Sequence, residues 1–127
     1  MIDVNDGRFV ISNTLILYPG YKFDDFKRSK YYNGQDGIRI IYLDDKQIID
    51  GKKYHVSLFF RNNKIYLVSL INCDSEISES KEEERKMLHD RILEENNILS
   101  GHQYEWGKIV SEYDARSNIS SIDIYYK

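Results

Sequence analysis

The chain has 127 residues, of which 41% are hydrophobic and 31% charged, with a formal net charge of −3 and eleven tyrosines. This composition excludes the disordered class, and the length fits one domain over residues 1–127 that buries enough surface to hold itself together without disulfide or metal staples. The small negative charge argues against a general nucleic-acid binder, whose affinity comes from neutralising phosphates with Lys and Arg, so no nucleic-acid partner is expected.

Nothing in the sequence approaches the ~20 apolar residues of a membrane span, and the first twenty residues lack the basic start and apolar run of a signal peptide. The single cysteine, Cys73, has no partner for an internal disulfide. A reducing cytoplasm is the expected location, with no membrane contact.

Asp6-Gly7 signals a turn, and Arg8–Ile11 and Thr14–Tyr18 follow as a pair of short strands closed by Pro19-Gly20. Phe23 and Phe26, at i and i+3, predict a short helix near 22–30, broken by Asn33-Gly34 and Asp36-Gly37. Ile38–Leu43 is β-branched enough for a strand. Gln47–Ile49 is a shorter one before Asp50-Gly51, a dipeptide suited to a tight hairpin turn. Lys53–Phe60 and Lys64–Ile71 carry apolar residues on both faces, which predicts a central hairpin covered on both sides and turned at Asn62-Asn63.

A long helix is expected from about 80 to about 99. Ser80-x-x-Glu83 fits a capping box and Ser100-Gly101 a stop. Leu88, Ile92 and Leu99 form its apolar stripe, with Met87 and Ile98 on the flank. Its first two turns offer no apolar face and are expected to project past the sheet edge. Tyr104–Asp114 and Ile119–Tyr126 form a closing hairpin, with Ile122, Ile124 and Tyr126 on one face. The predicted fold is α+β, with a mainly antiparallel β-sheet of about six or seven strands, one long helix and one short helix.

No nucleotide-binding glycine motif, metal-ligand spacing or nucleophile motif is present, so no cofactor, no metal and no catalytic residue is expected. Three histidines leave one alternative open: a small ligand-binding protein or hydrolase using His55, His89 or His102 in a pocket. Lys27, Arg28 and Lys30 beside Tyr31 and Tyr32 could stack and neutralise RNA, but Asp24 and Asp25 adjoin them and the patch is short.

From Asp74 to Glu84 six acids (Asp74, Glu76, Glu79, Glu82, Glu83, Glu84) stand against one base, Lys81. The helix dipole accounts for the acids of the first turn, since each gains about 0.3–1 kcal/mol there. It reaches Asp74, Glu76 and Glu79 poorly, and these would make a field able to steer a basic protein partner.

Segments spread from Leu15 to Tyr126 resemble a group of small bacterial α+β proteins, several of them immunity proteins of contact-dependent inhibition and related polymorphic toxin systems. The most specific are E-x-x-R-K-x-x-H-D-x-x-L, here Glu82 to Leu93, and W-G-x-x-x-S-x-Y-D, here Trp106 to Asp114. The resemblance implies a non-enzymatic immunity protein that binds a cognate bacterial toxin domain, plausibly a nuclease (RNase or DNase), and covers its active site or substrate face. The contacts expected on sequence grounds are Asp74, Glu76, Glu79, Glu82 and Glu83, with Tyr31 and Tyr32. Trp106, Gly107 and Tyr113 are expected to determine the fold, and Arg85 or Lys86 to pair with Asp114 or Asp123.

Overall fold

The computed structural model describes residues 1–34, 40–74 and 81–127. Strands β1 (Phe9–Ser12) and β2 (Leu15–Leu17) form a small antiparallel hairpin, with Phe9 opposite Leu17. Phe9, Ile11, Leu15 and Leu17 are its buried side. The predicted short helix is a single turn, α1 (Phe23–Phe26), whose two phenylalanine rings pack on Phe60 with centroids 5.4 and 6.1 Å away.

The remaining strands make one antiparallel sheet: β3 (Ile40–Tyr42), β4 (Gln47–Ile49), β5 (Lys52–Arg61), β6 (Lys64–Asn72), β7 (Gln103–Tyr104), β8 (Gly107–Asp114) and β9 (Ile119–Tyr126). Their order is β3-β5-β6-β9-β8-β7, and β4 pairs with the first residues of β5. The turns expected from sequence close the hairpins: Asp50 and Gly51 join β4 to β5, and Asn62 and Asn63 join β5 to β6, all four at positive φ. The short β7 has no counterpart among the expected strands. It extends the closing hairpin by pairing Gln103 with Lys108 and Tyr104 with Gly107.

The long helix α2 runs over Glu82–Glu95, shorter at both ends than the predicted 80–99. Its N-cap is Lys81, without a side-chain cap bond, and the predicted Ser80 lies outside the described residues. The chain leaves the helix at Asn96 and then Asn97, whose positive φ of 58° sends it away before Ile98. Leu99, expected on the apolar stripe, is therefore exposed, as is Met87, whereas Ile98 is buried.

The core lies on one face of the sheet. Tyr54, Val56, Leu58 and Phe60 of β5, Val68 and Leu70 of β6, Ile109 of β8 and Ile122, Ile124 and Tyr126 of β9 are buried there. Helix α2 covers β8 and β9, while α1 and the β1–β2 hairpin cover β5 and β4. The N-terminal segment closes one end: the Trp106 indole N–H donates to the Val4 carbonyl at 2.8 Å, and the Tyr126 hydroxyl to the Gly7 carbonyl at 2.9 Å.

The expectation that the β5–β6 hairpin is covered on both faces is corrected. Among the described residues only the face carrying Tyr54, Val56, Leu58, Val68 and Leu70 is packed against other elements. On the other, His55 is exposed and Ser57, Phe59, Leu67, Ser69 and Ile71 are half-buried. An antiparallel sheet tolerates one wet face, and apolar residues on both sides of a strand do not require two covering layers.

Candidate functional site

Pairing between β6 and β9 ends at Leu70 opposite Ile122. Two positions further along the same register stand Asn72 and Ser120, each with a backbone N–H that the ladder no longer uses. Helix α2 supplies both acceptors. Glu82 Oε1 accepts the Ser120 N–H at 2.9 Å, and His89 Nε2 accepts the Asn72 N–H at 3.1 Å. The spacing of seven residues, two helical turns, puts both side chains on one face of the helix.

Glu82 is thus not a surface contact, and the first turn of α2 does not project past the sheet. Glu82 is 4% exposed. Its other oxygen pairs with Arg85, while its backbone carbonyl accepts the Ser120 hydroxyl at 3.2 Å. Arg85 and Lys86 do not reach Asp114 or Asp123. Their partners are Glu82 and, at 2.6 Å, Asp90. A buried carboxylate needs such company, since removing it from water without partners costs several kcal/mol.

Of the other expected contacts, Glu83 is exposed on the first turn of α2. Asp74 is exposed at the end of β6, but both its oxygens are engaged: Oδ2 accepts the Asn72 amide at 2.9 Å and Oδ1 the Lys53 backbone N–H at 3.0 Å. The Asn72 amide and then the Lys53 N–H hold its carboxyl below the usual range. Glu76 and Glu79 lie outside the described residues. Tyr31 and Tyr32 are half-buried. The Tyr31 hydroxyl bonds to Ser12 Oγ at 2.7 Å, and the Tyr32 ring sits edge-on to Phe23 and Phe26. Their rings therefore fasten the segment after α1. The neighbouring cations are matched locally, Lys27 to Asp24 and Arg28 to Asp25.

The three histidines occupy three separate settings. His89 is fully buried, and burial, then the nearby Arg85 charge, pushes its pKa down to about 4, so it accepts a hydrogen bond as neutral imidazole. His55 is exposed on β5, and His102 is exposed beside the Tyr104 ring. Among the described residues none hydrogen-bonds to a carboxylate, and no group of three or more metal-ligating side chains is assembled. A surface hollow of about 290 Å³ beside β2 and α1 is lined by Thr14, Tyr21, Asp25 and Arg28 among others, without a histidine.

Strand alternation puts Ser121, Asp123 and Tyr125 on the face of β9 opposite Ile122, Ile124 and Tyr126, and the wet face of the sheet is built out from them. The pairing register places Ile40, Phe59, Leu67, Tyr125 and Lys108 in one row across β3, β5, β6, β9 and β8. Beside it runs a second row: Tyr42, Ser57, Ser69, Asp123 and Val110. Beyond these lie His55 opposite Ile71, and Ser121 opposite Glu112. Tyr42 and Ile48 are about two-thirds exposed, at 66% and 64%, on strands at the β3/β4 edge. Two cations lie over rings of β6 and β9, Arg61 over Tyr66 at 4.3 Å and Lys108 over Tyr125 at 5.2 Å.

Within this face sits an acid pair. The Tyr125 hydroxyl donates to Glu112 Oε2 at 2.8 Å. Tyr125 belongs to the first row and Glu112 to the third, so the ring reaches across the second row, where Asp123 lies. Asp123 is accordingly only 6% exposed, and its Oδ1 has no hydrogen-bond partner among the described residues. Burial, then the facing Glu112, raises its pKa to about 7, against a smaller pull from the Ser69 and Ser121 hydroxyls.

No protein-family model, curated protein or solved structure matches the chain. Among the described residues no helix is long and apolar enough to cross a membrane.

Proposed function

We propose that this chain is a non-enzymatic immunity protein of the cytoplasm, which binds and neutralises a cognate bacterial toxin domain by covering its active site or substrate face. The observation that carries the reading is the row Ile40–Phe59–Leu67–Tyr125 on a sheet face against which no described element packs. Aromatic and aliphatic side chains at the middle of a flat face, with charges at its margin, are the usual make-up of a protein interface.

Size favours a protein over a small ligand. Five strands about 4.8 Å apart span ~19 Å, and six residues along them ~20 Å, giving about 400 Å² in projection, half of the ~800 Å² that one partner of a standard interface buries. A concave pocket, the usual receptor for a small molecule, is not what this face offers. The acids at the start of α2 add a field that draws a basic domain toward the chain. A nuclease is the fitting class of toxin, because its substrate surface is basic.

The test starts at the gene directly upstream, which on this reading encodes a large secreted protein with a variable C-terminal domain, and continues with co-purification and calorimetry with that domain. A one-to-one complex that abolishes the domain's toxicity is expected, and Tyr42→Ala together with Phe59→Ser should weaken it at least tenfold with the fold intact. Absence of any complex would remove the reading.

A further inference from the structure

We propose that the Glu112 and Asp123 carboxylates on the wet face of the sheet receive a cationic side chain of the partner, an arginine in preference to a lysine. The inference rests on the immunity-protein reading and specifies which chemistry of the toxin this face recognises.

Three observations point to a cation. Asp123 is more than nine-tenths buried with an oxygen that nothing in the described structure satisfies. Such an atom forfeits a hydrogen bond that an incoming donor restores. Glu112 accepts a neutral donor, the Tyr125 hydroxyl, and shares a proton with the facing Asp123, and a charged donor would replace these with stronger bonds. And the two carboxylates lie diagonally on adjacent strands, Glu112 opposite Ser121 and Asp123 opposite Val110, beside an aromatic ring. A planar guanidinium can fork between the two oxygens and stack on Tyr125 together, which a lysine ammonium cannot.

The same pair argues against a nucleic-acid guest. Half-buried rings flanked by Arg61 and Lys108 are features of single-strand binders, but two carboxylates at their centre repel phosphate. The acids therefore select a basic protein surface.

Binding must expel the proton that the pair retains near neutral pH. Among the described residues the charged and titratable groups on this face are Lys108, Glu112 and Asp114 of β8, Asp123 and Tyr125 of β9, Tyr66 of β6, Lys53, His55 and Arg61 of β5, and Tyr42 of β3. With Asp123 titrating near pH 7 and a guest that binds only the ionised form, affinity should rise about tenfold between pH 6 and pH 8.

Calorimetry of the full chain with the toxin domain, at pH 6, 7 and 8, tests this with Asp123→Asn, Glu112→Gln and, as a control elsewhere on the same face, His55→Gln. The expected result is a pH-dependent affinity in the wild type and in His55→Gln. In Asp123→Asn the dependence should be flat and the affinity at pH 8 at least tenfold lower, and Glu112→Gln should also bind more weakly. Thermal melts establish that each variant is folded. Equal affinity and equal pH dependence in wild type, Asp123→Asn and Glu112→Gln overturn the inference and leave the immunity reading in place. Loss of binding by the wild type itself removes both. Binding of a single-stranded RNA oligomer that strengthens in Asp123→Asn also overturns it, since it would assign the face to phosphates.

Discussion

The backbone N–H of Ser120, on the last strand, donates to the carboxylate of Glu82, 38 residues earlier at the start of the long helix. The bond stands in for the rung that β6 and β9 would have made next. Replacing Glu82 with Gln leaves an acceptor but strips Arg85 of its charge partner, and replacing it with Ala orphans the Ser120 N–H as well. We expect losses of about 1–3 kcal/mol for Gln and more for Ala, measured as midpoint shifts in urea unfolding. A neutral Ala variant would show that the helix is held by its apolar residues alone.

His89 and Asp123 should oppose each other in the pH dependence of stability. His89 falls from 6.5 to about 4 on folding, so between those values the unfolded chain binds a proton that the folded chain excludes, and stability drops as pH falls through the window. Asp123 rises from 3.8 to about 7, so over nearly the same range the folded chain holds a proton the unfolded chain releases, and stability drops as pH rises. The two effects nearly cancel, leaving wild-type stability almost level between pH 4.5 and 6.5. Asp123→Asn removes one side of the balance. Its unfolding free energy should climb with pH across that range by about 2–3 kcal/mol, because one proton bound differently by the two states changes stability by ~1.4 kcal/mol for every pH unit. An Asn variant as level as wild type, in urea titrations at three pH values, would contradict the assignment.

The acids at the helix start should act on association rate rather than on the lifetime of a complex. Because Glu82 is internal, the charge-reversal variant that isolates steering is Glu76→Lys, Glu79→Lys and Glu83→Lys combined. Stopped-flow association with the toxin domain should slow several-fold at low salt and converge with wild type near 0.5 M, where the Debye length is only about 4 Å. A rate insensitive to both the variant and salt would exclude steering.

Gly7 lies against Trp106 at a φ of +79°, and a Cβ there would stand 2.6 Å from the indole Cδ2. Two costs coincide: a left-handed backbone and a ring that must move although its N–H is tied to Val4. Gly7→Ala should destabilise by about 2–4 kcal/mol, and blue-shifted Trp fluorescence should move toward the red as the ring leaves its site. Unchanged emission together with an unchanged midpoint would mean that the N-terminal segment does not seal the core.

The strands, their turns and the α+β class are readable because each rests on local chemistry: alternation in β5, β6 and β9, and Asn or Asp-Gly pairs at positive φ. The single turn of α1 follows from Phe23 and Phe26. The long helix is legible as an element, but its orientation is not. Its inner face is set by Glu82, Arg85 and His89 as much as by Ile92 and Leu93, and an apolar stripe cannot report a polar face that serves orphaned strand N–H groups. The segment Glu82–Leu93 gains a physical meaning here, since its Glu82 and His89 are those two acceptors.

The candidate face is illegible for another reason. Asp123 stands in sequence between two core isoleucines, and its neighbours Ser69 and Glu112 come from other strands. Only the register brings them together. The signal available is Asp123 itself, an acid at an interior position of a strand whose flanking residues are core isoleucines.

A sheet that the described elements pack on one side alone separates two obligations that most small domains must meet with the same residues. Tyr54, Val56, Leu58, Val68 and Leu70 hold the fold, while Tyr42, Ser57, Phe59, Leu67 and Ser69 are free of that duty. Substitutions among the second set carry little folding cost, so the face can be rewritten position by position while the scaffold stays fixed. In natural variants of this chain, change should therefore fall on every other residue of β5, β6 and β9, a period of two written into divergence itself.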